Sequence, residues 1–293
     1  EISACLVGSE MCIRDRIEDA ATAAQANAHD LQARQLHVLN NQGSIVANSA
    51  TAPHNSGVYI AAKSLHLADG TLHSGGDMAL DLVGSLDTEA GQAVRAGRHL
   101  SVELHGTSGG SNTLNNAGHW QAGQNLSIRA DHIDNQASGK LTSQGTTSLN
   151  TTQSASGSVT NRGLVDGVDT RITTRTLTNT GTGRVYGDRV AIAAHTVMNR
   201  EETINGVTQA ATIAARDRLD IGAQHITNRE GALIFSAGNM AIGGALDDNH
   251  RAVVDGSANA HTLNNNSATI ESLGNMALAA DVLRNTNEHF ESQ

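Results

Sequence analysis

The stretch Leu114-Asn115-Asn116-Ala117-Gly118-His119-Trp120-Gln121-Ala122-Gly123-Gln124-Asn125-Leu126-Ser127-Ile128 decides the fold, because its opening returns at Ile133-Asp134-Asn135. A turn around Asn116 leads into a short segment, Trp120-Gln121-Ala122-Gly123, and then into a second, Leu126-Ser127-Ile128. The same order is read at Val185-Tyr186-Gly187-Asp188, Val190-Ala191-Ile192, Val197-Met198-Asn199, and at Phe235-Ser236-Ala237-Gly238, Met240-Ala241-Ile242, Leu246-Asp247-Asp248. The turn residue keeps the count: Asn116 to Asn135 is 19 residues, Asn161 to Asn179 is 18, Asn179 to Asn199 is 20, Asn228 to Asp248 is 20 and Asn265 to Asn285 is 20. A fixed period of about 20 residues is the mark of a solenoid, whose units are stable only when stacked.

Within one unit the apolar residues alternate, with Leu126, Ile128 and Ala130 set against Ser127, Arg129 and Asp131. Period two describes a strand with one buried face, not a helix. Each coil therefore reads as three short strands: an apolar residue, any residue, then Ala or Ser; an apolar pair around one residue; and Leu-x-Asn. The expected fold is all-β, a right-handed parallel β-helix with about 20 residues per coil, its hand taken from the rule for parallel crossovers. Roughly 13 coils at about 4.8 Å would make a rod about 60 Å long. Leu72, Val94, Trp120, Leu141, Val185 and Phe235 are expected in one inward ladder, and Leu80, Val102, Ile128, Ile192, Ile242 and Leu278 in a second. The recurring Asn has two structural readings: an amide ladder bonding coil to coil, or a residue tolerant of left-handed corners.

The chain of 293 residues divides into a non-repetitive start, 1–35, and a repeat region, 36–293. Residues 6–16 of the start resemble one reading frame of a sequencing-library adapter and are set apart. Both cysteines, Cys5 and Cys12, lie in or beside that segment, so the repeat offers no disulfide and no cysteine metal site. Aromatic residues make up only 2% of the chain, which suits a core of thin aliphatic layers. A formal net charge of −10 argues against nucleic acid as a partner. No apolar run reaches the length that spans a bilayer as a helix, and no signal peptide is visible, so the sequence reads as an internal piece of something longer.

The order Leu-x-Asn-x-x-Gly, then apolar-x-Ala-Gly, then Asn-Leu-x-apolar is similar to the repeats of filamentous haemagglutinin-type exoproteins, best at Leu114–Gly118 and Trp120–Leu126. That resemblance covers residues 36–285. It implies a bacterial protein exported by two-partner secretion, secreted or held at the cell surface, serving as an adhesin or as the stalk of a contact-dependent growth-inhibition toxin. Its implied partners are an outer-membrane transporter, engaged through an amino-terminal domain, and a receptor on a host or bacterial cell.

The chemistry-bearing residues are few. Asp247-Asp248, beside His250 and Arg251, is the best local carboxylate cluster for the rival reading, a β-helical polysaccharide lyase or hydrolase. Asp248 is read there as a substitute for the corner Asn, and Asp166-Gly167-Val168-Asp169 as a loop. Gly75-Gly76-Asp77 is a corner turn with a partial likeness to a calcium-binding nonapeptide. His132, His195, His225 and His261 recur just before the Leu-x-Asn strand, as a solvated stripe or as one that charges in mild acid. Trp120 is read as inward, with a sugar-stacking platform as its alternative. The expectation is a structural segment that is not an enzyme, with no catalytic, cofactor-binding or metal-ligating residue and no cofactor. Direct contacts, if any, are expected at the insertions near residues 105–113 and 200–211.

Overall fold

A computed structural model describes residues 39–40, 44–47, 57–67, 70–106, 110–152 and 156–290. The non-repetitive start, with Cys5, Cys12 and the adapter-like residues 6–16, lies outside the described residues. The fold is all-β: parallel strands stack as a β-solenoid of about 10 turns, about 22 residues apart, and among the described residues there is no helix. The turns are fewer and longer than the sequence period suggests, because insertions add residues without adding a layer.

Each coil contributes a strand to each of three sheets. In the first sheet the register runs Leu86, Leu114, Ile133, Val159, Leu177, Val197, Ile226, Leu263 and Leu283. In the second it runs Leu72, Val94, Trp120, Leu141, Val165, Val185, Ile213, Ile234 and Ile270. In the third it runs Ile60, Leu80, Val102, Ile128, Leu149, Ile172, Ile192, Ile221, Ile242 and Leu278. Nearly all of these side chains are fully buried in one continuous core. In mid-rod the corners stay extended, so single strands such as Leu164–Thr180 and Arg184–Ile204 run through all three sheets.

The third ladder contains every residue expected of it. The second contains all but Phe235, which is displaced by Ile234. Ile213 pairs with Ile234, and Phe235 lies half-buried on the outer side, between Ala214 and Glu271. The residue two places beyond each second-sheet apolar position must be small: Ser74, Ala96, Ala122, Ser143, Gly167, Gly187, Ala215 and Ser236 occupy it in successive coils. Ser236 meets that demand only if Ile234 points inward. Assigning the inward place by side-chain size alone sets the register off by one residue, which reverses a strand's faces. Asp166–Asp169 is likewise strand and not loop, since it lies inside Leu164–Thr180.

Between the second and third sheets the coils approach so closely that side chains are excluded. A Cβ on Gly97 would sit 2.0 Å from the Gly75 carbonyl oxygen, and one on Gly123 would sit 2.1 Å from that of Gly97. The Gly75-Gly76-Asp77 motif is thus part of a glycine column, with Asp77 Oδ1 accepting the His99 amide at 3.2 Å. Among the described residues no group of three His, Cys, Asp or Glu side chains is placed to hold a metal ion.

The asparagine question has a clear answer. Asn116 Nδ2 donates to Asn135 Oδ1 at 2.7 Å, and the same bond joins Asn135 to Asn161, Asn161 to Asn179, Asn179 to Asn199 and Asn199 to Asn228, each at 2.8 Å. Asn228 donates to Asn265 at 2.9 Å, and Asn265 to Asn285 at 2.8 Å. At the other end Thr88 Oγ1 donates to Asn116 Oδ1 at 2.7 Å, and accepts from Trp120 Nε1 at 3.2 Å. Second amide hydrogens go to backbone carbonyls, as from Asn179 to Thr212 at 3.0 Å. None of these asparagines has a positive φ; among the described non-glycine residues only Asn205, Glu230, His250 and Ser267 do. The ladder reading therefore holds and the left-handed-corner reading does not. Trp120 is fully buried, so it is a core residue and not a sugar platform.

Candidate functional site

Where every coil repeats the same interior, chemistry that distinguishes one place from another must come from outer side chains and insertions. The first insertion, near 105–113, is described only in part. Asn112 and Asp131 close it with reciprocal bonds: Asn112 N and Nδ2 each donate to Asp131 Oδ2 at 3.0 Å, and Asp131 N donates to Asn112 Oδ1 at 2.8 Å.

The second insertion is an antiparallel hairpin, pairing Glu201 with Ala210 and Ile204 with Val207. Asn205 and Gly206 form its tip with φ of 51° and 77°, the pair of positive values that a type I′ turn needs. Its foot is clamped by charge. Arg162 Nε reaches the two Glu202 carboxylate oxygens at 3.0 and 2.9 Å, and Arg229 Nη2 reaches Glu201 at 2.9 Å. The bond to Glu202 raises the Arg162 pKa, while burial raises that of Asp134 beside it. At the tip Ile204 and Val207 are 53% and 59% exposed.

The third insertion was not anticipated. After Asn239–Gly243 the chain leaves the coil and returns to the first sheet only at Ala260–Asn266. Asn228 therefore pairs with Asn265, and Asp248 is not a ladder residue. Asp247 holds a tight turn in this excursion: its Oδ1 accepts the Asn249 and Arg251 amides at 2.9 and 2.8 Å. His250 sits in that turn with φ of 58°. Asp247-Asp248 is thus an exposed turn, with one carboxylate committed to its own backbone.

The excursion is pinned to the rod by Asp220, an outward residue of the third sheet that is only 3% exposed. Arg218 forks onto Asp220 at 2.7 and 2.9 Å, the Ala252 amide donates to it at 3.0 Å, and Arg251 Nη1 lies 3.5 Å away. The pairing with Asp220 raises the Arg218 pKa. Between excursion and sheet lies a cleft bounded by Asp169, Arg171, Arg189, Ala191, His250 and Arg251. Arg189 is forked onto Asp169 at 2.5 and 2.8 Å, which raises its pKa, and Arg171 Nη1 lies 3.1 Å from His250 Nε2. His250 and Arg251 were singled out in the sequence; Arg171, Arg189 and Asp220 were not. Their signal was there in register form, since Arg171, Ala191 and Asp220 are consecutive rungs of one outer column.

The histidines form two groups. His132 bonds Ser158 Oγ at 2.8 Å on its own. His195, His225 and His261 gather on successive coils, with ring centroids 5.4 and 5.5 Å apart in edge-on contacts. Desolvation, then Arg175 and the two neighbouring imidazoles, lower the His195 pKa.

The chain is 27% identical over 191 residues to a protein named deoxyribonuclease CdiA from Dickeya dadantii (strain 3937). The match takes in 59% of this chain and spans 5% of the length of that relative. No family model matches the chain, and no solved structure matches it. The expectation that the protein is not an enzyme is corrected by this match, because the relative carries the name of a nuclease.

Proposed function

We propose that the chain is a stalk segment of a large CdiA-like exoprotein, secreted or held on a bacterial surface, whose rod carries an active module toward another cell. On this reading the whole protein is exported through an outer-membrane transporter by two-partner secretion. It acts in contact-dependent growth inhibition or adhesion, and deoxyribonuclease activity is the one to test for in the complete protein.

The observation that carries this reading is the continuity of the ladders. The first sheet keeps its register across the 201–210 hairpin and the 244–259 excursion, so the insertions decorate the rod without bending the stack out of order. A stack bound together by apolar burial throughout and by an amide ladder from Asn116 to Asn285 suits a spacer that must hold its length. The match to a relative about which this chain spans only 5% supports the same picture, since a stalk is the part of such a protein with room to repeat. No described helix is long and apolar enough to cross a membrane.

The test uses the complete gene in its own host. Antibodies to residues 57–290 should label intact cells, and the labelling should vanish when the adjacent transporter gene is deleted. Label that appears only after the cells are opened would overturn the reading. Removing whole coils in frame should then reduce killing or attachment of neighbouring cells while leaving export intact.

A further inference from the structure

We propose that the cleft between the third sheet and the 244–259 excursion binds a small oxyanion, the carboxylate or phosphate of a larger acidic molecule. Two cations of this cleft lack a close carboxylate partner. Both oxygens of Asp169 are engaged by the Arg189 fork at 2.5 and 2.8 Å, and Arg171, at 3.9 Å, lies beyond hydrogen-bond reach of the same carboxylate. Asp220 is forked in the same way by Arg218 and also accepts the Ala252 amide, while Arg251 stands off at 3.5 Å. Two guanidiniums thus border one cleft, each beside a carboxylate that a better-placed arginine has taken.

The remaining contact of Arg171 points the same way. A guanidinium has only donors, so in the 3.1 Å contact with Arg171 Nη1 it is His250 Nε2 that accepts. A single ring nitrogen is a weak partner for a cation that is built to fork onto the two oxygens of a carboxylate or phosphate. The lining carries three arginines and two aspartates, on a chain whose formal net charge is −10. Ala191 lies in register between Arg171 and Asp220, and its short side chain leaves a notch in the floor. The walls are set in advance: the floor is a paired sheet, and the excursion is fixed by the Asp247 turn and by the Ala252 amide on Asp220. An oxyanion seated there takes donors from Arg171 and Arg251 in place of His250.

The experiment titrates glucuronate, inorganic phosphate and neutral glucose into the protein and reads binding by calorimetry or amide shifts. Saturable binding of either anion, without binding of glucose, is the expected result. The stronger of the two identifies the source of the oxyanion. Arg171→Gln should weaken it roughly tenfold, as loss of a charge-assisted contact does, at an unchanged melting temperature. Arg129→Gln, on the same outer face but away from the cleft, should bind as the parent does. Equal binding of glucose, no saturable binding of either anion, or full affinity in Arg171→Gln would each overturn the proposal.

Discussion

Asn179 donates to Asn199 and accepts from Asn161, fully buried on both sides. Asn179→Ala should therefore cost about 2–4 kcal/mol, because it strands a donor on one rung and an acceptor on the next. Urea unfolding checks this, with Asn150→Ala as the comparison, since Asn150 is part-exposed and bonds only Ser148. Equal midpoints for the two variants would mean the ladder adds no stability. A second residue-scale effect depends on pH. His119 and His195 both have pKa values lowered from 6.5, the first by burial, then Arg95 and Lys140, the second by desolvation, then Arg175, His225 and His261. The unfolded chain then binds more protons near that pH, so their contribution to stability is present above it and lost as pH falls through it. His195→Gln should shrink the drop in melting temperature between about pH 7.5 and about pH 5.5. An identical drop in parent and variant would remove His195 from the account.

At the scale of the element, anchoring and not length decides what each insertion is worth. Residues 203–208 lie beyond the Glu202–Arg162 and Glu201–Arg229 clamps and touch little of the rod. Replacing them with Asn-Gly should change stability by less than about 0.5 kcal/mol. Asp220→Ala should instead cost about 3 kcal/mol or more, because it leaves Arg218 without its buried partner and frees the excursion. Limited trypsinolysis should then cut at Arg251; resistance equal to the parent would show the excursion is held by something else. What the sequence revealed follows the same division. The three-strand coil, the inward ladders and the 200–211 insertion were legible because apolar residues and asparagines recur at fixed spacing. The third insertion was hidden because Asp248 stands 20 residues after Asn228 and imitates the next corner. Phe235 misled by size, and the small residue at Ser236 corrects it. The cleft was illegible for a further reason. Arg171, Arg189 and Asp220 come from three coils, so their meeting depends on the length of every intervening turn.

For the whole molecule the two surfaces that matter differ in kind. Along its sides the rod is polar and its strands are paired above and below. On the last described coil the strands Thr269–Ser272, Met276–Leu278 and Ala280–Thr286 pair on one side only. Leu273 and Leu283 are 67% and 53% exposed there, and Met276 and Val282 are also uncovered. Open strand edges beside exposed apolar side chains form a template for another β layer. In a solenoid that layer is normally another repeat or a polar cap. The purified 293-residue chain should therefore associate in a concentration-dependent way through this end. A Leu273→Lys, Leu283→Lys double variant should shift sedimentation toward the monomer while leaving the far-ultraviolet circular dichroism unchanged, because neither side chain is buried. A chain that is monomeric at every concentration, or a double variant that associates as strongly as the parent, would show that this end is already closed. Charge on the end then acts as the polar cap does in a natural solenoid, by making the addition of a further layer strand an ammonium group against apolar neighbours.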